Sequence, residues 1–105
     1  MEKYEVELLP AAYADLDDIF DYIMVDNPDA AARMLGDIMQ ALHRLEDFPY
    51  SGAPLPGHSL KEFDFRIVIV EPYLAFYRFI DNKVYIYRVL HGSRNYLHLL
   101  RKELT

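Results

Sequence analysis

Three consecutive segments rich in β-branched and aromatic residues place the strongest constraint on the fold. They occupy residues 65–70, 73–80 and 83–90, and only the dipeptides Glu71-Pro72 and Asp81-Asn82 separate them. Breaks this short join antiparallel strands, because a parallel connection needs a crossover of a dozen or more residues. The sequence therefore predicts a three-stranded antiparallel meander in the second half of the chain.

The alternation of side chains along these strands predicts two faces of the sheet. With two-residue turns and no bulge, one face carries Phe65, Ile67, Leu74, Phe76, Arg78, Tyr85, Tyr87, Val89 and His91. The other face then carries Arg66, Val68, Tyr77, Ile86 and Arg88. A single β-bulge would exchange part of this assignment.

Two segments with helical periodicity precede the meander. A helix is predicted to start at Pro10, with an apolar stripe of Tyr13, Leu16, Ile19, Phe20 and Ile23. Its solvated side is predicted to carry Asp15, Asp17, Asp18 and Asp21. A second helix is predicted to follow the N-cap Asn27 and to bury Ala31, Leu35, Ile38, Leu42 and Leu45. The two helices should form an antiparallel hairpin.

The remaining segments complete a β-α-α-β-β-β-α order. Residues 5–8 alternate as a short strand, and residues 49–58 are predicted to form a loop because they hold three prolines and two glycines. Residues 95–104 are predicted to form a final helix with Leu97, Leu100 and Leu104 turned inward. We expect one α+β domain over residues 1–105, with the hairpin and the final helix packed on a small, mostly antiparallel sheet.

Charge is distributed unevenly along the 105 residues. The formal net charge is −6, yet residues 1–47 hold 3 basic and 12 acidic side chains, and residues 83–105 hold 5 basic and 1 acidic. The acidic surface should repel nucleic acid, which leaves at most a local basic site near the C-terminal end. The chain has no cysteine and no apolar run of the roughly 18 residues that a membrane span requires. Its charged start is unlike a signal peptide, and we expect a cytoplasmic protein with no membrane partner.

Most side chains suited to chemistry fall within residues 88–96, whose sequence is Arg88-Val89-Leu90-His91-Gly92-Ser93-Arg94-Asn95-Tyr96. Arg94 can fork onto a phosphate or a carboxylate, and the alternative is a surface arginine paired with an acidic residue. His91 can move protons, or it can simply hydrogen-bond backbone at the end of a strand. Tyr96 can stack on a base, or it can pack the last helix onto the sheet.

Three further arginines interrupt apolar strands, and an unpaired guanidinium is costly to bury. Each must therefore reach water, an acidic partner or a ligand, and these arginines are Arg66, Arg78 and Arg88. No metal or cofactor is predicted, because no glycine-rich phosphate loop is present and the histidines lack the spacing of ligand pairs. The four histidines are His43, His58, His91 and His98.

Several motifs in order resemble the RelE/ParE superfamily of toxins from bacterial type II toxin–antitoxin modules, often called plasmid stabilization proteins. The motifs are the run Asp15-Leu16-Asp17-Asp18-Ile19-Phe20-Asp21-Tyr22-Ile23, then Asn27-Pro28, then Leu45-Glu46-Asp47-Phe48-Pro49-Tyr50-Ser51-Gly52, and finally residues 88–96. The resemblance covers nearly the whole chain. It implies a growth-inhibiting toxin that a cognate antitoxin wraps and neutralises. RelE-like members cleave mRNA in the ribosome without a metal, whereas ParE-like members inhibit DNA gyrase.

The resemblance transfers unevenly to individual residues. Arg94 resembles the arginine that RelE-like toxins place against the scissile phosphate, but Leu74 stands where their pattern has an arginine after a tyrosine. Arg66 is the only basic residue between positions 65 and 70. We therefore expect ParE-like binding to gyrase, with no direct DNA binding in the absence of the antitoxin. The alternatives are a ribosome-dependent endonuclease with a site of Arg94, His91, Arg66 and Tyr96, an inactive degenerate toxin, and an unrelated α+β domain.

Overall fold

The computed structural model describes residues 3–57 and 60–104. The predicted α+β order is confirmed, with one addition: a two-residue strand within the predicted loop, whose last residue, His58, lies outside the described residues. The strands are β1 (Glu5–Leu8), β2 (Ala53–Pro54), β3 (Arg66–Val70), β4 (Tyr73–Ile80) and β5 (Lys83–His91). The helices are α1 (Pro10–Met24), α2 (Pro28–His43) and α3 (Tyr96–Glu103), and single 3₁₀ turns cover residues 44–46 and 61–63.

The five strands form one sheet in the order β1-β5-β4-β3-β2. Strand β1 runs parallel to β5, and the other neighbours are antiparallel, so the predicted meander is confirmed. Both residues of the turn between β4 and β5 are left-handed, with φ 52° at Asp81 and φ 62° at Asn82. Two such residues define a type I′ turn, whose twist matches that of the strands it joins.

A β-bulge in β5 changes which residues face the helices. Phe76 pairs with Arg88, but the next residue, Tyr77, pairs with Ile86, so that Tyr87 is the extra residue. The predicted alternation is therefore wrong beyond the bulge. Val89 packs in the cluster under the helical hairpin rather than beside Phe76, and Leu90 takes the opposite face. His91, two residues after Val89, ends β5 on the side of α1.

The hairpin of α1 and α2 packs on one sheet face, as its periodicity predicted. Leu16, Ile38 and Leu42 are buried there, and Ile23 and Leu35 are partly buried against the same cluster. Asn27 is the N-cap of α2, and its side-chain oxygen accepts a hydrogen bond from the Ala30 amide at 3.1 Å.

One member of the predicted apolar stripe of α1 does not belong to it. Tyr13 is 59% exposed, whereas its neighbour Ala12 is fully buried. The buried side of the helix therefore runs through Ala12 and Leu16 toward Ile19, and Tyr13 lies beyond its border.

The segment after α2 is fixed to the sheet by the hydroxyl of Tyr77. This hydroxyl donates to the Pro49 carbonyl at 2.8 Å and accepts from the Gly52 amide at 2.9 Å. A Cβ atom at Gly52 would lie 2.6 Å from the Tyr77 ring, so only glycine allows so close an approach.

Helix α3 packs on the sheet, as predicted, with Leu100 fully buried among Phe65, Phe76 and Leu90. It covers the face opposite the hairpin. Within the described part of the chain, none of the helices is both long enough and apolar enough to cross a bilayer.

Candidate functional site

A cleft of about 610 Å³ lies between α1 and the C-terminal end of β5. Helix α1 contributes Asp18, Ile19 and Tyr22 to one wall. The start of β4 and the turn after β5 contribute the other wall, which includes Tyr73, His91, Ser93 and Arg94. The only predicted candidates that it brings together are thus His91 and Arg94.

Backbone hydrogen bonds hold the turn after β5 against the start of β4. The Gly92 amide donates to the Pro72 carbonyl at 2.9 Å, and the Arg94 amide donates to the His91 carbonyl at 3.0 Å. The His91 ring meets the Tyr73 ring edge to face, with 5.7 Å between centroids. These contacts place the His91 and Arg94 side chains at the mouth of the cleft.

The hydrogen bonds of His91 define its tautomer. Its Nδ1 accepts from the Ser93 amide at 3.1 Å and lies 2.8 Å from the Ser93 hydroxyl. Because the amide can only donate, Nδ1 carries the lone pair, and the neutral ring carries its proton on Nε2. His91 is therefore oriented to donate a hydrogen bond from Nε2.

Arg94 is exposed, and within residues 3–57 and 60–104 its guanidinium has no hydrogen bond and no ion pair. It precedes α3, whose first residue is Tyr96. An exposed fork of donors beside a cleft is suited to receive a carboxylate or a phosphate from another molecule.

Arg88, in contrast, is bound within the protein. Its Nε and Nη2 atoms donate to the two carboxylate oxygens of Asp15 at 2.7 and 2.8 Å. These hydrogen bonds raise the pKa of Arg88 above its ordinary value. Asp15 also accepts from the Val89 amide at 2.9 Å, where β5 extends beyond the end of β1 and has a neighbouring strand, β4, on its other side only. The prediction that Asp15 belongs to a solvated side of α1 is therefore wrong.

Arg66 lies at the other end of the sheet from the cleft, paired with Tyr77. Its Nη1 donates to the carbonyls of Tyr50 and Gly52 at 3.2 and 2.9 Å, and its guanidinium lies 5.1 Å from the centre of the Tyr50 ring. Its Nε is buried without a hydrogen-bond partner among the described residues. These contacts fix the segment around Gly52 to β3.

Arg78 is likewise engaged on the α3 side of the sheet. It donates to the Phe63 carbonyl and to the Tyr87 hydroxyl, and its guanidinium lies within 6 Å of the Phe63, Phe65 and Tyr87 rings. The three strand arginines therefore face different partners in three different places and do not form a common basic site.

Tyr96 packs on the sheet rather than in the cleft. Its ring stacks on Phe76 with 5.1 Å between centroids and belongs to the cluster under α3. The structure therefore does not bring Tyr96 and Arg66 to His91 and Arg94.

Sequence reasoning missed two aromatic residues of the cleft. Tyr22 is 78% exposed and lies outside the apolar stripe of α1, which was the available signal. Tyr73 begins β4 directly opposite His91, a pairing that becomes visible only once the register is known. Among the described residues, no group of His, Asp and Glu side chains could hold a metal ion.

The chain thus has a small α+β fold with an exposed arginine beside an aromatic cleft. Comparison with known proteins identifies its family. A family model described as ParE toxin of type II toxin-antitoxin system, parDE, matches residues 6–96. The chain belongs to this family and is a toxin of a type II toxin–antitoxin system.

Two curated relatives are similar over most of their length. Y4kP, a candidate toxin of Sinorhizobium fredii, is 34% identical over 101 residues, which are 95% of this chain and 100% of the relative. Toxin RelE2 of Caulobacter vibrioides is 37% identical over 83 residues, which are 79% of this chain and 89% of the relative.

Solved structures share the fold. A chain of the chromosomal ParDE toxin–antitoxin system from P. aeruginosa superposes with a TM-score of 0.71 at 25% identity, over 85% of this chain and 96% of that one. A chain of the RelBE2 toxin–antitoxin complex from Mycobacterium tuberculosis gives a TM-score of 0.63 at 23% identity, over 90% and 97%, a likeness of fold alone. Relatives named for both RelE and ParE thus have the same architecture.

Proposed function

We propose that this toxin inhibits growth by binding DNA gyrase through the cleft beside Arg94, and that a cognate antitoxin neutralises it. One observation carries the proposal. Of the arginines at positions 66, 78, 88 and 94, only Arg94 lacks a partner within the described part of the chain. The cleft therefore offers one guanidinium for recognition rather than a cluster of cations.

Metal-independent cleavage of RNA would need more positive charge than this cleft offers. The transition state of phosphoryl transfer is stabilised by several cations or donors placed around the phosphate. Leu74, at the position where the RelE pattern has an arginine, packs under α3 opposite Leu90. Its side chain can neither donate a hydrogen bond nor carry charge.

The antitoxin part of the proposal rests on the relatives and on an apolar groove. The two solved relatives come from a ParDE system and a RelBE2 toxin–antitoxin complex. In this chain, Val6 and Leu8 of β1 and Met39 and Leu42 of α2 line a groove of about 400 Å³. Met39 is 42% exposed, and a flexible methionine adapts readily to the apolar side of a partner helix. We propose that this groove holds an amphipathic antitoxin segment.

A supercoiling assay with purified gyrase tests the proposed target. The wild-type toxin should inhibit supercoiling, and Arg94→Ala should abolish inhibition. Arg101→Ala is the matched control, because Arg101 is also exposed but lies in α3 outside the cleft. Both variants should keep wild-type stability to within about 0.5 kcal/mol, since neither opens a cavity.

Uninhibited supercoiling by the wild-type toxin would refute the gyrase target. The second candidate is then a RelE-like ribosome-dependent endonuclease, which His91 favours because it lines the same cleft as Arg94. An inactive toxin would affect neither supercoiling nor translation.

A further inference from the structure

We infer that Tyr22, on the α1 wall of the cleft, is a direct contact for the toxin's target, and that the cleft receives a protein segment carrying a carboxylate next to an apolar side chain. The inference rests on the proposed function and extends it in two respects. It adds helix α1 to a surface for which the sequence offered no residue of the helical hairpin, and it names the chemistry of the bound segment.

The first observation is the exposure of an aromatic ring at the cleft. The Tyr22 side chain is 78% exposed and lies beside Ile19, which is half-buried. Tyr73 lies on the opposite wall, and its pKa is raised by burial and further by the proximity of Tyr22. Rigid aromatic side chains in a concave site contribute a large share of binding energy at protein interfaces. Tyr22 and Tyr73 can thus bury an apolar side chain between α1 and β4.

The second observation is the charge around the cleft. Arg94 supplies a cation without a partner, so the incoming segment should carry a carboxylate at that edge. Asp18 lines the α1 wall, and Asp17 and Asp21 are exposed on the same helix. A chain of phosphates running along α1 would meet this repeated negative charge, whereas a single carboxylate at Arg94 would not. The charges therefore favour a protein segment over RNA.

Growth arrest on expression without the antitoxin tests the contact independently of which target is bound. Tyr22→Ala should lose growth arrest, because it removes the exposed ring from the cleft. Tyr13→Ala is the matched control, since Tyr13 is a tyrosine of the same helix, 59% exposed, that does not line the cleft. It should arrest growth as wild type does. Soluble protein levels and thermal unfolding should be equal for both variants, because neither ring is buried.

Growth arrest by Tyr22→Ala equal to that of wild type would overturn the inference, and so would a wild-type protein that leaves growth unaffected. Loss of arrest in Tyr22→Ala together with unaffected supercoiling by wild type would refute only the gyrase target and keep the contact. The protein nature of the segment is tested with a fluorescein-labelled single-stranded RNA of mixed sequence. We expect no binding of this RNA, and binding that Tyr22→Ala weakens would overturn the choice of a protein segment.

Discussion

Replacing Asp15 by alanine should destabilise the protein far more than replacing any exposed aspartate of the same helix. The substitution removes three hydrogen bonds at once, two from Arg88 and one from the Val89 amide. The side chains of Asp15 and Arg88 are only 9% and 13% exposed, so water cannot fully replace the lost partner.

The size of the effect follows from the charge left behind. Removing one partner of a buried ion pair costs about 3–5 kcal/mol, since it leaves an uncompensated charge in a poorly solvated place. Glu103 remains 3.6 Å from the Arg88 Nη1 atom and compensates in part. We therefore expect Asp15→Ala to lower the free energy of unfolding by about 3 kcal/mol, at the lower end of that range. Asp15→Asn should fall between wild type and alanine, because its amide oxygen can still accept from the Val89 amide.

Urea unfolding followed by circular dichroism measures the effect, with Asp17→Ala as the control. Asp17 is exposed on α1, so its replacement should change stability by less than about 0.5 kcal/mol. The slope of the unfolding free energy against urea concentration should be equal in the variants, so that the unfolding midpoints can be compared directly. Coincident midpoints for Asp15→Ala and Asp17→Ala would refute the structural role assigned to Asp15.

Two further predictions concern the core under the hairpin. Ile38→Ala should lower the free energy of unfolding in urea by about 2–5 kcal/mol, because Ile38 is 1% exposed and its loss leaves a cavity. Met39→Ala should lower it clearly less, because the Met39 side chain is 42% exposed. Equal losses would contradict the burial of Ile38 in the core. Burial raises the pKa of Tyr77, so above about pH 10 the unfolded chain loses this proton first and stability falls as the pH rises. Tyr77→Phe should show a shallower decline than wild type in the same alkaline series, although the raised pKa of Tyr73 keeps some decline, and parallel declines would contradict the assignment.

Local signals predicted the elements of this fold well. The two-residue turns, the proline and asparagine that begin α2 and the helical periodicity of the hairpin all act within a few residues of one another. Such signals depend little on distant parts of the chain, which is why the order of elements and the hairpin's buried side could be predicted from sequence.

The features that shape the cleft depend on contacts between distant residues. The bulge at Tyr87 moves both Val89 and His91 from the predicted sheet face to the opposite one, and no residue type in β5 predicts a bulge. Asp15 stands in an acidic run that is typical of a solvated helix face, but its partner Arg88 is 73 residues away. The sequence could not distinguish the roles of Arg66 and Arg94, because both are arginines. Only the fold shows that Arg66 donates hydrogen bonds to carbonyls of the segment after α2.

Primer extension on mRNA translated in the presence of the purified toxin tests most directly the claim that this toxin does not act by cutting RNA. Of the arginines at positions 66, 78, 88 and 94, only Arg94 lacks a partner within the described residues, and one guanidinium is too little positive charge for cleavage. We therefore predict full-length mRNA with the wild-type toxin, identical to that with Arg94→Ala. Strong cleavage at the ribosomal A site by wild type, abolished in Arg94→Ala, would contradict this account and identify the chain as a ribosome-dependent endonuclease.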